Sequence, residues 1–235
     1  PSGDTGVIPI KADLTNAATV ASAVAAVRAV TDRLLAIVHF AGIYMLDSLI
    51  EIEPARFEES FRINLGGAFT VNRLFFPLLG RGSRILITTS ELAPLDPLPF
   101  TGLYGVTKCA LDRYAFALGM ELQLLGISVS VLRAGAVSTG MLGASTDALT
   151  AFCEKTALYR CNAARFRRIV DSVEAKSVPP ERIAKKVLRI LGAKRPAFAY
   201  AINRNPLLRL LNLLPKRMQL WAIRLVLREK EDKHG

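Results

Sequence analysis

Tyr104-Gly105-Val106-Thr107-Lys108 sets a phenol and an ammonium four residues apart. On a helix that spacing puts both side chains on one face, within reach of a common ligand. A free phenol titrates at about 10 and is a poor base at neutral pH. A nearby ammonium favours the phenolate, so Lys108 is expected to lower the Tyr104 pKa. The pair can then pass a proton to or from a substrate oxygen. Upstream, the apolar run Arg84–Thr88 leads into Thr89-Ser90. A hydroxyl at the mouth of a parallel strand lies at the usual ligand edge of such a sheet, where Ser90 can donate to a substrate carbonyl. Each feature also has a plain structural reading. The tyrosine and lysine fit a surface pair, and Ser90 fits a helix cap or turn. Their occurrence together favours the chemical reading.

The elements that must position these groups alternate. Val7–Ile10 reads as a strand ending at Lys11-Ala12-Asp13-Leu14. Thr15 or Asn16 can cap a helix that runs to about Thr31. Leu34–Phe40 reads as a second strand, closed by Ala41-Gly42. Pro54–Leu79 reads as one long helix with Pro54 in its first turn. Arg84–Thr88 is a third strand, Tyr104–Leu125 a helix stopped by Gly126, and Ile127–Leu132 a fourth strand. A helix over Pro180–Leu191 and a strand-like Ala197–Ala201 follow. Strands alternating with helices predict an α/β fold with a doubly wound parallel sheet.

Composition narrows the class. Of 235 residues, 51% are hydrophobic and 22% charged, which excludes disorder and suits strands buried on both faces. Cys109, Cys153 and Cys161 fit no zinc spacing and read as reduced thiols of a cytoplasmic protein. His39 and His234 are the only histidines, which argues against metal catalysis and a Ser-His-Asp triad. The net charge of +11 is uneven: from Glu181 onward there are 14 Lys/Arg against 4 Asp/Glu, and before it 17 against 16. A near-neutral body with a basic C-terminal region suggests an anionic partner for that region and no general affinity for nucleic acid. No apolar run is long enough to span a bilayer.

In this order, the residues from Val7 to Met141 resemble the short-chain dehydrogenase/reductase family. Asp13-Leu14 resembles the family's adenine-contacting Asp-Leu/Val. His39-Phe40-Ala41-Gly42 stands where Asn-Asn-Ala-Gly is usual. Asn64, in Arg62-Ile63-Asn64-Leu65, matches the helix asparagine of the proton relay, and Ser90, Tyr104 and Lys108 match the other catalytic positions. Arg133-Ala134-Gly135-Ala136-Val137-Ser138-Thr139 resembles the Pro-Gly-x-x-x-Thr loop. The segments Glu91-Leu92-Ala93 and Met120-Glu121-Leu122-Gln123-Leu124-Leu125-Gly126 also resemble a bacterial branch of the family. The resemblance implies Tyr104 as general acid/base, Ser90 orienting the substrate oxygen, Lys108 on the nicotinamide ribose and Asn64 behind it. It assigns Asp13, Leu14, Ala41, Gly42, Lys108, Gly135, Val137 and Thr139 to NAD or NADP, with the hydride coming from the cofactor.

The departures carry expectations of their own. His39 is expected to be a structural histidine at a strand end. Ala134 in place of proline loosens its loop, and the Ser90-to-Tyr104 spacing is one residue longer than the commonest. No G-x-G-x-x-G or related run occurs, and Gly3 and Gly6 sit in a polar stretch. The expectation is an N-terminal truncation of roughly 40 residues, slightly more than one βαβ unit. The truncated chain is then expected to be inactive, to bind cofactor weakly or not at all, and to lack the residues that choose NAD over NADP.

Residues 1–200 thus read as a partial Rossmann-like catalytic domain with a substrate region at about 141–178. Within it, Phe152, Leu158, Tyr159, Phe166 and Ile169 are apolar candidates for a lipophilic pocket or for plain helix packing. Residues 201–235 read as a basic amphipathic extension, broken by Pro215, that suits a membrane surface, packing on the body or a subunit interface. The expected partners are a small alcohol or carbonyl substrate, a second copy in a homo-oligomer and, peripherally, a membrane. The rival functional reading is a non-catalytic family member that binds or scaffolds.

Overall fold

The computed structural model describes residues 6–174 and 176–228. His234, Gly3 and the end of the basic extension lie outside them. Four parallel strands form one sheet in the order β1 (Ala36–His39), β2 (Arg84–Thr88), β3 (Ser128–Ala134) and β4 (Ala199–Ile202). Successive side chains on a strand point to opposite faces, and here both faces are apolar. Ile85, Ile87, Val129 and Val131 pack against Leu111, Ala115 and Leu122 of α4 (Gly102–Leu122). Leu86 and Leu132 face the other way, onto Ile183, Val187 and Ile190 of α7 (Pro180–Leu191). The sheet is therefore doubly wound, as the alternation of elements predicts.

Local sequence sets the helix ends. Asn16 accepts from the Ala18 N–H at 3.0 Å and caps α1 (Ala17–Arg28), which stops short of Thr31. Val20, Ala23 and Val24 form its buried stripe, and it packs on α3 (Gly67–Phe75). In α7, Glu181 sits in the first turn and Arg189 in the last, each opposite the helix-end charge it complements. Between β3 and α7 lie α5 (Gly140–Lys155) and α6 (Arg160–Glu174), and after β4 come α8 (Pro206–Leu213) and α9 (Lys216–Leu227) on either side of Pro215.

Two sequence expectations are corrected. Val7–Ile10 is not a strand. It has no ladder partner among the described residues, and Val7 is 73% and Ile8 62% exposed. An apolar run becomes a strand only where a neighbour takes up its backbone groups. Pro54–Leu79 is not one helix. It divides into α2 (Pro54–Phe61), a π-helical turn at Arg62–Gly66, α3 (Gly67–Phe75) and a 3-10 turn at Phe76–Leu78. The π turn re-aims Asn64 within an otherwise helical run.

At the carboxyl edge, β3 and β4 leave the sheet in close contact. The Gly135 N–H donates to the Ile202 carbonyl at 3.0 Å, and the Asn203 carbonyl occupies the space a Gly135 Cβ would need. Asn203 is left-handed, with φ of 53°. Its side chain donates to the Ala136 and Lys176 carbonyls at 2.8 and 3.0 Å, which holds that turn. Gly135→Ala must push the two strand exits apart. It is expected to cost roughly 2 kcal/mol or more and to lower the melting temperature by about 4–8 °C. An unchanged thermal melt would show that this contact does not constrain the fold.

Candidate active site

Asn64 is buried and uses both ends of its amide. Its Oδ1 accepts from the Ile43 N–H at 2.7 Å. Its Nδ2 donates to the Ile43 carbonyl at 3.0 Å and to Thr107 Oγ1 at 3.0 Å. Thr107 in turn donates to the Tyr104 carbonyl at 2.9 Å. The asparagine so joins the segment leaving β1 to the first turns of α4. Gly42 shows how tight the junction is. A Cβ there would stand 3.1 Å from both Asn64 Oδ1 and Lys108 Nζ.

Tyr104 and Lys108 project from the N-terminal turns of α4 and are both buried. The Lys108 ammonium stands over the phenol ring, 5.6 Å from its centroid. Tyr44 packs on the Tyr104 ring at 4.6 Å between centroids. Ser90, just past β2, lies near enough to the Tyr104 hydroxyl to pull its pKa down, and its Oγ accepts from the Leu92 N–H at 3.2 Å. Asn64, Ser90, Tyr104 and Lys108 thus come together at the carboxyl edge, although they are spread over 45 positions of sequence.

The position of α4 is fixed from its far side. Arg133 of β3 makes a two-pronged bond to Asp112, Nε to Oδ1 at 3.0 Å and Nη2 to Oδ2 at 2.7 Å. Thr89 also donates to Asp112 Oδ1, at 3.2 Å. This pairing keeps the guanidinium charged, and it ties the helix to the strand and to the residue before Ser90. Phe100, left-handed at φ 63°, turns the chain into α4 and packs its ring against Phe152, Tyr159 and Phe166.

Burial decides the electrostatics. It pushes the Tyr104 phenol up to about 12, against a smaller lowering from Ser90. It also takes the Lys108 ammonium down to about 8. The expectation that Lys108 lowers the Tyr104 pKa is corrected: loss of hydration dominates and raises it. The phenol is therefore protonated at neutral pH and is placed to donate. Among the described residues no carboxylate forms an ion pair with Lys108.

The residues expected at the cofactor divide. Gly42 and Lys108 belong to the cluster, and Ala41, which precedes Gly42, is exposed. Gly135 and Val137 lie on the neighbouring exit from β3, with Val137 bridged to Val178. Thr139 starts α5 with an exposed hydroxyl that makes no capping bond. Asp13 stands apart and exposed. Its carboxylate accepts from the Thr15 N–H at 2.9 Å and hydroxyl at 2.8 Å, bonds that lower its pKa. Leu14 packs on Gly67, where a Cβ would come within 3.2 Å of the leucine Cβ. His39 is structural as expected. It shares a 2.8 Å bond with Asn72, which donates to the Tyr114 hydroxyl at 3.1 Å, and burial keeps the ring neutral. Of the apolar candidates after residue 150, Phe152 and Phe166 are buried while Leu158 and Ile169 are exposed.

Sequence reasoning missed Thr107, Tyr44, Phe100 and the pairing of Asp112 with Arg133. Thr107 lies inside the Tyr-to-Lys motif, one turn from Tyr104, and that spacing was a usable signal. The others carry none before the fold is known.

A family model for short chain dehydrogenases matches residues 2–150. The 2,3-dihydro-2,3-dihydroxybenzoate dehydrogenase of Escherichia coli is 31% identical over 134 residues, covering 55% of this chain and 52% of that protein. A dehydrogenase/reductase of Sinorhizobium meliloti superposes with a TM-score of 0.66 at 27% identity, over 83% of this chain and 72% of that one. A short chain dehydrogenase of Burkholderia cenocepacia, solved in complex with NADP, shares the fold with a TM-score of 0.63 at 22% identity, over 82% and 73%. The chain spans about half or less of the curated relatives it matches first.

Lys108 gives a stability test of the burial argument. The unfolded chain keeps this proton up to about 10.5, the folded chain only to about 8. Between those values the unfolded state binds more protons, so wild-type stability rises with pH across that window. Lys108→Met removes the buried ammonium. It is expected to raise the melting temperature at about pH 7, with the gain shrinking at about pH 10. A variant that melts lower at neutral pH, or a gain that ignores pH, would count against the account.

Proposed function

The chain belongs to the short-chain dehydrogenase/reductase family, and from that premise we propose that the protein interconverts an alcohol and a carbonyl with Tyr104 as general acid/base. The observation that carries the proposal is the convergence of Tyr104, Ser90, Lys108 and Asn64 at one strand-end cluster. NAD or NADP supplies the hydride in this family. Lys108, Gly42 and Thr139 fit its nicotinamide end. Nζ has no carboxylate partner among the described residues, Gly42 leaves no room for a side chain beside it, and the Thr139 hydroxyl makes no cap bond.

In reduction, Tyr104 gives its proton to the carbonyl oxygen as negative charge develops there, and Ser90 orients that oxygen. The proton is regained along the side holding Lys108, Thr107 and Asn64. In oxidation the same groups run in reverse. The proposed substrate is lipophilic, in keeping with the ring of Tyr44 packed on that of Tyr104. We also propose a homo-oligomer, with the exposed Phe69 of α3 and Phe116 and Met120 of α4 as its apolar contact face.

In protein that binds the cofactor, Tyr104→Phe keeps the ring and removes the transferable proton. Turnover is expected to fall about 10²–10⁴-fold, with cofactor binding by nicotinamide fluorescence unchanged. Unchanged turnover overturns the role of the tyrosine. If the Lys108 ammonium is required, the reductive rate also falls as pH rises through about 8. A rate flat across that region would remove Lys108 from the proton path.

A further inference from the structure

We infer that the outward faces of α8 and α9 form a docking surface for an anionic phospholipid bilayer. From 206 to 228 there are five cations, Arg209, Lys216, Arg217, Arg224 and Arg228, and no Asp or Glu. Both helices are anchored by their inner faces. The Asn205 side chain caps α8, and its backbone N–H donates to Glu91 at 2.6 Å. Asn212 accepts from the Asp96 N–H at 2.6 Å, and Lys216 pairs with Asp96. On α9, Gln219 is buried, and Leu227 joins a core cluster with Leu46, Leu149 and Phe166. The Leu227 carbonyl accepts from Asn162 at 2.6 Å.

The outer faces are left bare. Leu207 is 71% exposed and Leu213 81%, with Leu210 between them. On α9, Leu220 is 73% and Trp221 64% exposed. Arg217, Arg224 and Arg228 flank these on the same helical face, at spacings of seven and four. Well-anchored helices that expose leucine and tryptophan among arginines match a surface whose interior is apolar and whose headgroups are anionic. A second copy fits less well. Two-fold pairing of this face sets arginines against arginines with no acid on either side. Among the described residues no helix is long and apolar enough to cross a membrane, so such contact is through a surface.

Docking there also orients the site. The helices hold Glu91, which follows directly on Ser90, and Asp96, six residues after Ser90, and Leu227 lies in the cluster with Phe100. The carboxyl edge carrying Tyr104 then shares a side of the molecule with the bilayer. Delivery of a lipophilic substrate by that route rests on the proposed reaction; the docking itself does not.

The test uses the full 235-residue chain with phosphatidylcholine–phosphatidylglycerol vesicles and with phosphatidylcholine vesicles, and it involves no turnover. Trp221 is the only tryptophan and reports directly. The protein is expected to pellet with anionic vesicles, with a blue shift of its emission and a loss of binding at high salt. At about fivefold affinity per cation, Arg217→Gln with Arg224→Gln is expected to weaken binding about 30-fold. Leu220→Ser with Leu213→Ser should weaken it while leaving the far-UV spectrum unchanged. No pelleting, equal binding to both vesicles or variants that bind like wild type overturn the proposal. So does a change in oligomer size in the leucine variant without vesicle binding, which would assign the face to a second copy.

Discussion

The grip of Asn64 on both backbone groups of Ile43 is the constraint on which the site depends. Residue 43 follows β1, a strand with a neighbour on one side only among the described residues. Its exit must therefore be held by something other than a ladder. The π turn at Arg62–Gly66 supplies that hold by swinging one amide inward. The same amide reaches Thr107 of α4, so three chain segments far apart in sequence share one side chain. Gly42 then admits Lys108 beside it. A π turn costs helical regularity; here it gives a buried amide a full set of partners, which a buried polar group requires.

Exclusion of water works on the two ionisable groups in opposite senses. It destabilises the phenolate and the ammonium alike, so both drift toward their neutral forms. The outcome is a proton donor at neutral pH beside a lysine on the edge of losing its charge. Such a pair is poorly arranged for stability: at neutral pH the phenol holds its proton firmly, while the ammonium lies close to a change of state. The Asp112–Arg133 pairing is the opposite case. Each charge there finds its partner at close range, and the pair serves to hold α4 against β3.

Much of this was legible in the residues, for identifiable reasons. The alternation of apolar runs with capped helical stretches set the doubly wound sheet, since its strands are buried on both faces and read as continuous apolar segments. The motif from Tyr104 to Lys108 needed only helical spacing to place both groups on one face. The strand over Val7–Ile10 failed because an apolar run does not state whether it has a neighbour. The π turn escaped because one added residue in a helix leaves no mark in the periodicity. The pKa of Tyr104 was misjudged because sequence shows the nearby ammonium and hides the depth of burial, and the second effect is the larger. Tyr44 and Phe100 reach their partners only through tertiary packing.

Glu91 shows why the C-terminal helices belong to the same mechanical unit as the cluster. It follows Ser90 directly, and its own N–H donates to the Ala134 carbonyl at 2.9 Å, which extends the link between the exits of β2 and β3. Its carboxylate accepts the Asn205 N–H at the start of α8 and lies 3.0 Å from where a Gly135 Cβ would stand. Burial raises its pKa, with the bond to Asn205 and the charge of Arg204 pulling the other way. Three strand exits therefore meet at one side chain. The turn at Asn203 cannot move outward without breaking this bond, and Ser90 is one peptide unit away. Contiguity of this kind transmits position without any second state of the fold, so it constrains the serine hydroxyl and does not switch it.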